Sequence, residues 1–422
     1  MDLIIRNAKL TDREELMDIA IKDGRFRMIK REIDFKGSQE IDAKGYLVLP
    51  PFVESHVHLD SALTAGVPRF NQSGTLLEGI QLWSEYKETS TKEDIKEKAK
   101  KAVHWLIANG VLHIRAHTDC SVPSLMTIQA ILELKEELQE YVDIQVVAFP
   151  QDGIYAHDGM EKLLVAAIEQ GADVIGGMPQ AELTREDGIR ALEYIFNLAQ
   201  KHDLPVDIHT DETGDNHSRF LEVITKYTIK GEMSGKVTAS HTTALHNYNN
   251  DYAAKVIQNV KRAGINIVTN PFSNSLLQNR LDGYPRSRGH TRIDELLQAG
   301  VNISIGNDNI MDPFNPLGKG SLLQAAHLLM HTAHLSGEEE INRLFDFITH
   351  NGAKTLGIEN NYGINENKQA DFIILQAWDK KDALRRSADC LYVIRKGKII
   401  FQKEPSEGRL MIEDEELKVD FT

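Results

Sequence analysis

The sequence predicts an α/β protein: a (β/α)8 TIM barrel with a small β-sandwich module built from both termini. Two observations predict it. Eight short apolar runs occupy the middle of the 422-residue chain, and amphipathic segments with helical spacing separate them. Further runs of β character stand near the two ends of the chain. We expect the module to span residues 1–50 plus 365–422 and the barrel to span residues 51–364.

The terminal runs have the turn residues that hairpins need. Asp23-Gly24 separates two runs near the start, and Lys396-Gly397-Lys398 turns between two near the end. We infer that these runs pair into one module, which brings the termini close together. The predicted terminal strands are Leu3–Ala8, Met17–Lys22, Gly24–Lys30, Ala370–Leu375, Cys390–Arg395 and Ile399–Gln402.

The middle of the chain alternates between strand and helix candidates. The predicted strands are Val48–Val57, Leu112–His117, Ile144–Phe149, Val174–Met178, Val206–His209, Val237–His241, Ile265–Thr269 and Val301–Ile305. Helical spacing is clear over Lys92–Ile107, Ser124–Leu138, Gly159–Gln170 and Glu186–Lys201. Eight such units favour a closed parallel barrel. An open doubly wound sheet is the alternative, but no Gly-rich phosphate loop follows the first run to favour it.

Composition restricts the partners. The formal net charge is −15, and no dense block of Lys and Arg is present to displace counterions from a polyanion. We therefore expect no nucleic-acid and no membrane partner, and a small-molecule substrate instead. The two cysteines, Cys120 and Cys390, are too few for a disulfide framework and suit a reducing compartment. With no apolar run of about 18 residues, we expect a cytoplasmic protein.

Histidines and one aspartate stand where predicted strands end, which is the face that carries the chemistry of such barrels. His56 and His58 end the first run, and side chains two apart on a strand share a face. His209 ends the fifth run and Asp308 follows the eighth. Three nitrogens and one oxygen leave an open position on a divalent cation for water, as a catalytic site requires.

Two further residues could move protons around such a cation. A bound divalent cation lowers the pKa of its water to roughly 7. Glu212 and Asp308 carry carboxylates that can accept a proton from water and pass it on. His241, at the end of the sixth run, could orient the attacking oxygen or stabilise developing charge. The alternative for Glu212 is a solvated acid in the first turn of a helix.

Several segments resemble the amidohydrolase superfamily, and more closely its cytosine deaminase branch. The similarity is collinear over almost the whole chain. It is carried by Pro50-Pro51-Phe52-Val53-Glu54, Asn71-Gln72-Ser73-Gly74-Thr75-Leu76, Val147-Ala148-Phe149-Pro150-Gln151, Val237-Thr238-Ala239-Ser240-His241-Thr242-Thr243-Ala244, and Asp312-Pro313 through Pro316-Leu317-Gly318.

This resemblance implies a distorted barrel that holds one divalent metal ion, Zn or Fe. It places the ion at four residues, makes Glu212 the proton shuttle and sets His241 beside the attacking hydroxide. The implied ligands are His56, His58, His209 and Asp308. Binuclear relatives use a lysine at the end of strand four, which is absent here, so one ion is expected. The resemblance also implies a homo-oligomer.

The resemblance extends to the substrate. Gln151 would read the amide face of a ring, since a carboxamide offers a donor and an acceptor, and Leu76 would line its apolar side. Three positions depart from the cytosine deaminase pattern. Asn309 stands where the family has a second aspartate, Phe314 where it has tryptophan, and Gln180-Ala181 where it has His-Phe. We expect Asn309 and Phe314 to contact substrate and the departures to alter specificity.

The predicted reaction is hydrolytic deamination, with cytosine and water giving uracil and ammonia. Isocytosine, 5-methylcytosine or another amino-heterocycle are alternative substrates. A ring-opening cyclic amidohydrolase on the same scaffold would release no ammonia. A non-catalytic binding barrel with a vestigial metal is a third alternative, and the presence of Glu212 beside a full ligand set argues against it.

Overall fold

The fold comes from a computed structural model, which describes residues 1–412 and 415–419. The strands in these ranges are β1 (Leu3–Leu10), β2 (Leu16–Lys22), β3 (Arg25–Lys30), β4 (Gln39–Asp42), β5 (Leu47–Leu49), β6 (Phe52–Val57), β7 (Val111–Asp119), β8 (Asp143–Phe149), β9 (Val174–Gly177), β10 (Val206–Thr210), β11 (Val237–His241), β12 (Asn266–Thr269), β13 (Asn302–Ile305), β14 (Phe372–Leu375), β15 (Cys390–Arg395), β16 (Lys398–Gln402), β17 (Gly408–Ile412) and β18 (Glu415–Val419).

The α-helices in the same ranges are α1 (Leu76–Thr89), α2 (Lys92–Ala108), α3 (Met126–Leu138), α4 (Met160–Glu169), α5 (Arg185–His202), α6 (Phe220–Lys230), α7 (Asn250–Ala263), α8 (Pro271–Leu277), α9 (Ile293–Gln298), α10 (Leu322–Thr332), α11 (Glu338–Phe347), α12 (His350–Thr355) and α13 (Lys380–Arg386). Within the described ranges, no helix combines the length and apolar character needed to cross a membrane.

The chain divides into two compact units. One comprises Met1–Pro51, Ile107–Gly110 and the described part of Asn361–Thr422, and the other comprises Phe52–Leu106 and Val111–Asn360. The sequence predicted slightly different limits, 1–50 plus 365–422 for the module and 51–364 for the barrel. These limits remain a prediction.

The first unit contains a mixed sheet with strands from both ends of the chain. Its order is β16-β15-β14-β5-β1-β2-β3, with β4 also paired to β1. The turn between β2 and β3 has positive φ at both Asp23 (51°) and Gly24 (69°), as a two-residue hairpin of type I′ requires. Apolar side chains such as Ile5, Phe26 and Phe372 form the core of this sheet. The terminal β module is therefore confirmed.

The second unit contains the barrel. Strands β6 to β13 form one parallel sheet in sequence order. Its first and last strands approach each other where His58 N–H donates to Asp308 O (2.7 Å) and Asp308 N–H donates to His56 O (2.8 Å). A parallel bridge between Val57 and Asp308 lies at the same place. The predicted eight-stranded barrel is confirmed.

One predicted strand is wrong. The run Val48–Val57 is two strands, because Pro50 and Pro51 interrupt it. Proline has no N–H to donate to a ladder, so a strand rarely continues through it. The residues before this break form β5, which pairs with β1 and β14, and those after it form β6, which pairs with β7.

The barrel helices are amphipathic segments with capping residues, as α5 illustrates. The side chain of Thr184 accepts from the N–H of Asp187 and caps the start of α5. Leu192 and Ile195 lie on its buried face, and Asp203 ends the helix in the left-handed conformation. These helices pack around the strands, and the polar site lies at the carboxyl ends of the strands.

Candidate active site

A single cavity joins the predicted substrate residues to predicted metal and acid–base residues. All four predicted substrate contacts, Gln151, Leu76, Asn309 and Phe314, line it. The remaining lining residues are His58, Met178, His209, Glu212, Leu277 and Asp308. The lining therefore combines apolar side chains with imidazole, carboxyl and amide groups, as small-molecule sites commonly do.

Three of the four predicted metal ligands, His58, His209 and Asp308, line this cavity, and His56 lies against Asp308. His56 Nε2 lies 3.3 Å from Asp308 Oδ1, and His58 Nε2 lies 3.5 Å from the same oxygen. His58 Nε2 is also 3.1 Å from His209 Nε2. Residues separated by some 250 positions in sequence thus converge on one point at the end of the strands.

His241 joins the same cluster. Ligand atoms of His56, His209, His241 and Asp308 all lie within 4.8 Å of one another, and all four residues are buried. Among the described residues, His56 Nε2 and His209 Nδ1 are buried atoms without a hydrogen-bond partner. Imidazole nitrogens with unused lone pairs beside a carboxylate are a donor set that fits one divalent cation. The arrangement suits a single metal.

Local backbone structure sets two of these side chains. His241 (φ 68°) and Asp308 (φ 64°) both take the left-handed conformation at the end of their strands. Non-glycine residues rarely adopt this region, and such strain concentrates at functional sites. Next to Asp308, the backbone N–H of Asn307 donates to Glu54 Oε1 (2.8 Å) and its side chain donates to Oε2 (2.5 Å). Glu54 therefore fixes the loop that carries Asp308.

Burial sets the protonation of the cluster. Burial lowers the pKa of His58 and His209 well below the ordinary value and lowers that of His241 to about 3. Burial would raise the pKa of Asp308, but the neighbouring imidazoles His241 and His56 outweigh it and the pKa falls below its usual value. Neutral imidazoles and an ionised carboxylate are the forms that bind metal.

The pKa of Glu212 shifts in the opposite direction. Burial raises the pKa of its carboxyl well above the ordinary value, and the charge of Asp308 raises it further. The side chain of Gln278 donates to Glu212 Oε1 at 3.1 Å and opposes that rise. A buried carboxyl group with a raised pKa is suited to exchange protons near neutral pH.

Aromatic contacts fix two of the imidazole rings. The ring of Phe149 stacks on His209 with centroids 4.1 Å apart, and that of His117 stacks on His56 at 3.8 Å. The structure buries His117 completely behind His56, and it does not line the cavity.

Sequence reasoning missed the residues that follow the seventh strand. Asn274 Oδ1 accepts the backbone N–H of Asn270 (3.2 Å), so its Nδ2 faces His241 Nδ1 and donates to it at 2.9 Å. Asn270 Nδ2 also lies 3.3 and 3.4 Å from the two ring nitrogens of His241. Leu277 and Gln278 belong to the same segment. The rule that chemistry stands after strands would have found them, since β12 was predicted.

Among the residues that depart from the family pattern, Asn309 has a hydrogen-bond partner for both its amide oxygen and its amide nitrogen. Ser273 Oγ donates to Asn309 Oδ1 and Asn309 Nδ2 donates to Asp312 Oδ2, each at 2.7 Å. Phe314 packs against Gly79 of α1, where a Cβ would lie 2.6 Å from its ring. Gln180 does not line the cavity, although its amide atoms are buried without partners among the described residues.

Comparison with solved structures gives a match over nearly the whole chain. The structure of a 5-methylcytosine deaminase from Klebsiella pneumoniae, liganded with 5-fluorocytosine, superposes with a TM-score of 0.94 and 41% sequence identity. The match covers 96% of this chain and 99% of that one.

Two curated relatives also match. The N-isopropylammelide isopropyl amidohydrolase of Pseudomonas sp. (strain ADP) is 33% identical over 409 residues, which cover 96% of this chain and 98% of the relative. The pterin deaminase of Rhizobium rhizogenes is 28% identical over 87% of this chain and 84% of its own length.

The model of the amidohydrolase family matches residues 39–401. That range holds every residue of the site described above. The chain therefore belongs to the amidohydrolase family, a family of hydrolases.

Proposed function

We propose that this protein is a metal-dependent hydrolytic deaminase that acts on a cytosine carrying a small group at C5, with 5-methylcytosine ahead of cytosine. The observation that carries the proposal is the joint lining of one cavity by Gln151, Glu212, Asp308 and an apolar wall. The 41% identity to a 5-methylcytosine deaminase supports the choice of ring. The sequence alone put cytosine first.

In this proposal His56, His58, His209 and Asp308 hold one divalent cation, Zn²⁺ or Fe²⁺. The convergence of their ring nitrogens and carboxylate supports the assignment. Imidazole and carboxylate ligands suit either ion. The cation, when bound, supplies a Lewis acid that makes a nucleophile from water at neutral pH.

Glu212 is the proposed proton carrier. Gln278 binds Oε1, which leaves Oε2 to take a proton from the attacking water. The water oxygen bonds to the amidine carbon, and Glu212 delivers the proton to the exocyclic nitrogen. The carbon–nitrogen bond then breaks and ammonia leaves. His241, which lies beside Glu212 and Asp308, can stabilise the negative charge that develops on oxygen during the addition.

The remaining residues that line the cavity would determine which heterocyclic ring binds. Gln151 offers a donor and an acceptor to the ring's amide face, while Leu76, Met178, Leu277 and Phe314 provide apolar surface. Asn309 replaces a family aspartate with a neutral amide whose oxygen and nitrogen already have partners. An uncharged group there lowers the cost of placing a methyl group beside it.

Assembly and location belong to the proposal as well. We propose a homo-oligomer, as the family resemblance implies, and light scattering coupled to gel filtration tests it. Cys120 and Cys390 are buried and free, which supports a reducing compartment such as the cytoplasm.

The test is release of amine from a panel of substrates by the purified protein reconstituted with Zn²⁺ or Fe²⁺. We expect ammonia from 5-methylcytosine with kcat/KM at least about tenfold above that for cytosine, which is what one methyl group is worth in an apolar pocket. Isocytosine, pterin and N-isopropylammelide complete the panel. Release of isopropylamine from N-isopropylammelide, with no ammonia from cytosine or 5-methylcytosine, would overturn the proposal. It would favour cleavage of an N-alkyl group, the reaction for which the Pseudomonas relative is named.

A further inference from the structure

Ser240 lies between His56 and a buried carboxylate. Its Oγ donates to Asp207 Oδ1 at 2.7 Å and lies 3.0 Å from His56 Nδ1. All three residues are completely buried. Ser240 therefore connects a residue of the proposed cation site to the interior of the barrel.

The direction of these hydrogen bonds follows from the number of protons. A serine hydroxyl has one proton, and an ionised carboxylate can only accept. Ser240 therefore gives its proton to Asp207, and its oxygen accepts from His56 Nδ1–H. The neutral ring of His56 then carries no proton on Nε2, whose lone pair points toward Asp308 Oδ1 at 3.3 Å.

Arg115 holds Asp207 in place as the acceptor of the Ser240 proton. Its Nη1 donates to Asp207 Oδ2 (3.0 Å) and to Thr238 Oγ1 (3.1 Å). Its Nε and Nη2 donate to Gln145 Oε1 at 3.1 and 3.0 Å, and Nη2 also donates to the carbonyl of Thr355 at 3.0 Å. All five guanidinium N–H groups are thus used. Arg115 therefore holds Asp207 in a buried ion pair.

We propose that Ser240 and Asp207 form a relay of hydrogen bonds that fixes the tautomer and orientation of His56 and so sets the affinity of the site for its cation. Both are positioning residues, since they act through His56. The inference rests on the proposed function only in taking His56 as a ligand. Partners of this kind behind a ligating histidine typically govern metal affinity.

The structure offers one competing arrangement. Ligand atoms of His56, His117 and Asp207 also lie within 4.8 Å of one another, as a second cation would require. However, both oxygens of Asp207 already accept hydrogen bonds, one from Ser240 and one from Arg115. The relay predicts one cation per chain, whereas this arrangement predicts two.

The test measures the dissociation constant of Zn²⁺ by competition between metal-free protein and a chromophoric chelator. For Ser240→Ala we expect affinity to fall about 10- to 100-fold, because Nδ1–H loses its acceptor. Ser304→Ala is the matched control. Ser304 is equally buried on β13, and its Oγ bonds Thr355 away from His56. The Zn²⁺ affinity of the Ser304→Ala variant should stay within about twofold of that of the natural protein, which is the limit we set for no effect.

A second variant tests the direction of the relay. In Asp207→Asn the amide oxygen must face Arg115, so the amide nitrogen would donate to Ser240. Ser240 would then donate to His56 Nδ1 and move the ring proton to Nε2. We expect Asp207→Asn to weaken Zn²⁺ binding more than Ser240→Ala does, although it is isosteric. Circular dichroism establishes that each variant is folded before it is titrated.

The outcomes separate the two proposals. If the natural protein binds no Zn²⁺, the proposed function fails. If it binds one Zn²⁺ and Ser240→Ala binds it equally well, the relay is wrong and the proposed function stands. If the natural protein binds two ions and Asp207→Asn removes one, Asp207 is a ligand and the relay is again wrong.

Discussion

Two neighbouring layers of the barrel interior use polar residues in opposite ways. The mouth layer, defined as His56, His58, His209, His241, Glu212 and Asp308, contains buried ring nitrogens without partners. The interior layer, defined as Arg115, Gln145, Asp207 and Thr238, uses every guanidinium proton of its arginine. The layers are two positions apart along a strand, as Asp207 and His209 are on β10.

The difference shows how one barrel separates stability from chemistry. Unpartnered polar groups cost free energy when buried, so the mouth layer is stable only with a ligand or at the expense of other regions. The interior layer balances its buried charges and has no capacity left for a ligand. Substitutions in the mouth layer should therefore change activity, and loss of Arg115 from the interior layer should change stability.

The largest expected effect is in the mouth layer. In Glu212→Gln the shape is kept but the proposed proton carrier is lost, so kcat should fall about 10²- to 10⁴-fold. The free energy of unfolding should not fall, because a buried carboxyl is replaced by a neutral amide. Steady-state kinetics and urea unfolding measure the two quantities. Turnover within tenfold of the natural protein would remove Glu212 from its assigned role.

The second effect is in the interior layer. Arg115→Met leaves Asp207 buried without its ion pair and should lower the free energy of unfolding by about 3–5 kcal/mol. Lys135→Met is the control, because Lys135 pairs with Asp173 at 2.6 Å but both side chains are about one-third exposed. It should cost less than about 1 kcal/mol. Equal losses in the two variants would mean that the interior layer is not a special contributor to stability.

A smaller effect should follow from a residue that supports the mouth layer. Gln278→Leu removes the N–H that binds Glu212 Oε1 and leaves the carboxyl group less well oriented. We expect kcat to fall about tenfold, the equivalent of about 1.4 kcal/mol for one hydrogen bond to a charged group. KM should change little, since Gln278 does not line the cavity. A rise in KM at constant kcat would instead assign Gln278 to substrate binding.

The smallest effect concerns the apolar wall. Gly79→Ala places a methyl group 2.6 Å from the ring of Phe314, which must then shift. The preference for 5-methylcytosine over cytosine, measured as a ratio of kcat/KM values, should fall by up to about tenfold. Gly283→Ala is the control, since nothing lies within 4 Å of an added Cβ there. An unchanged ratio in Gly79→Ala would place the C5 group elsewhere.

The same two layers explain what the sequence could and could not predict. His56 and His58 stand two apart on a predicted strand, and His209 and Asp308 end other strands, so a simple rule about strand ends found them. The same rule covers the segment after the seventh strand, which holds Asn274 and Gln278, the two residues that the sequence-based prediction missed.

The interior layer gives no comparable signal. Arg115 alternates with His113 and His117 along β7, which places the three on one face, but alternation does not say whether that face is the interior of a closed barrel. Its partners Gln145, Asp207 and Thr238 come from three other strands. Only the closed parallel sheet brings them together.

The most direct test of the central claim is the rate of ammonia release from 5-methylcytosine by metal-free protein titrated with Zn²⁺. We expect no turnover without metal and a linear rise that stops at one equivalent of Zn²⁺ per chain. Full activity in metal-free protein, or a rise that continues to two equivalents, would contradict a single cation held at the mouth of the barrel.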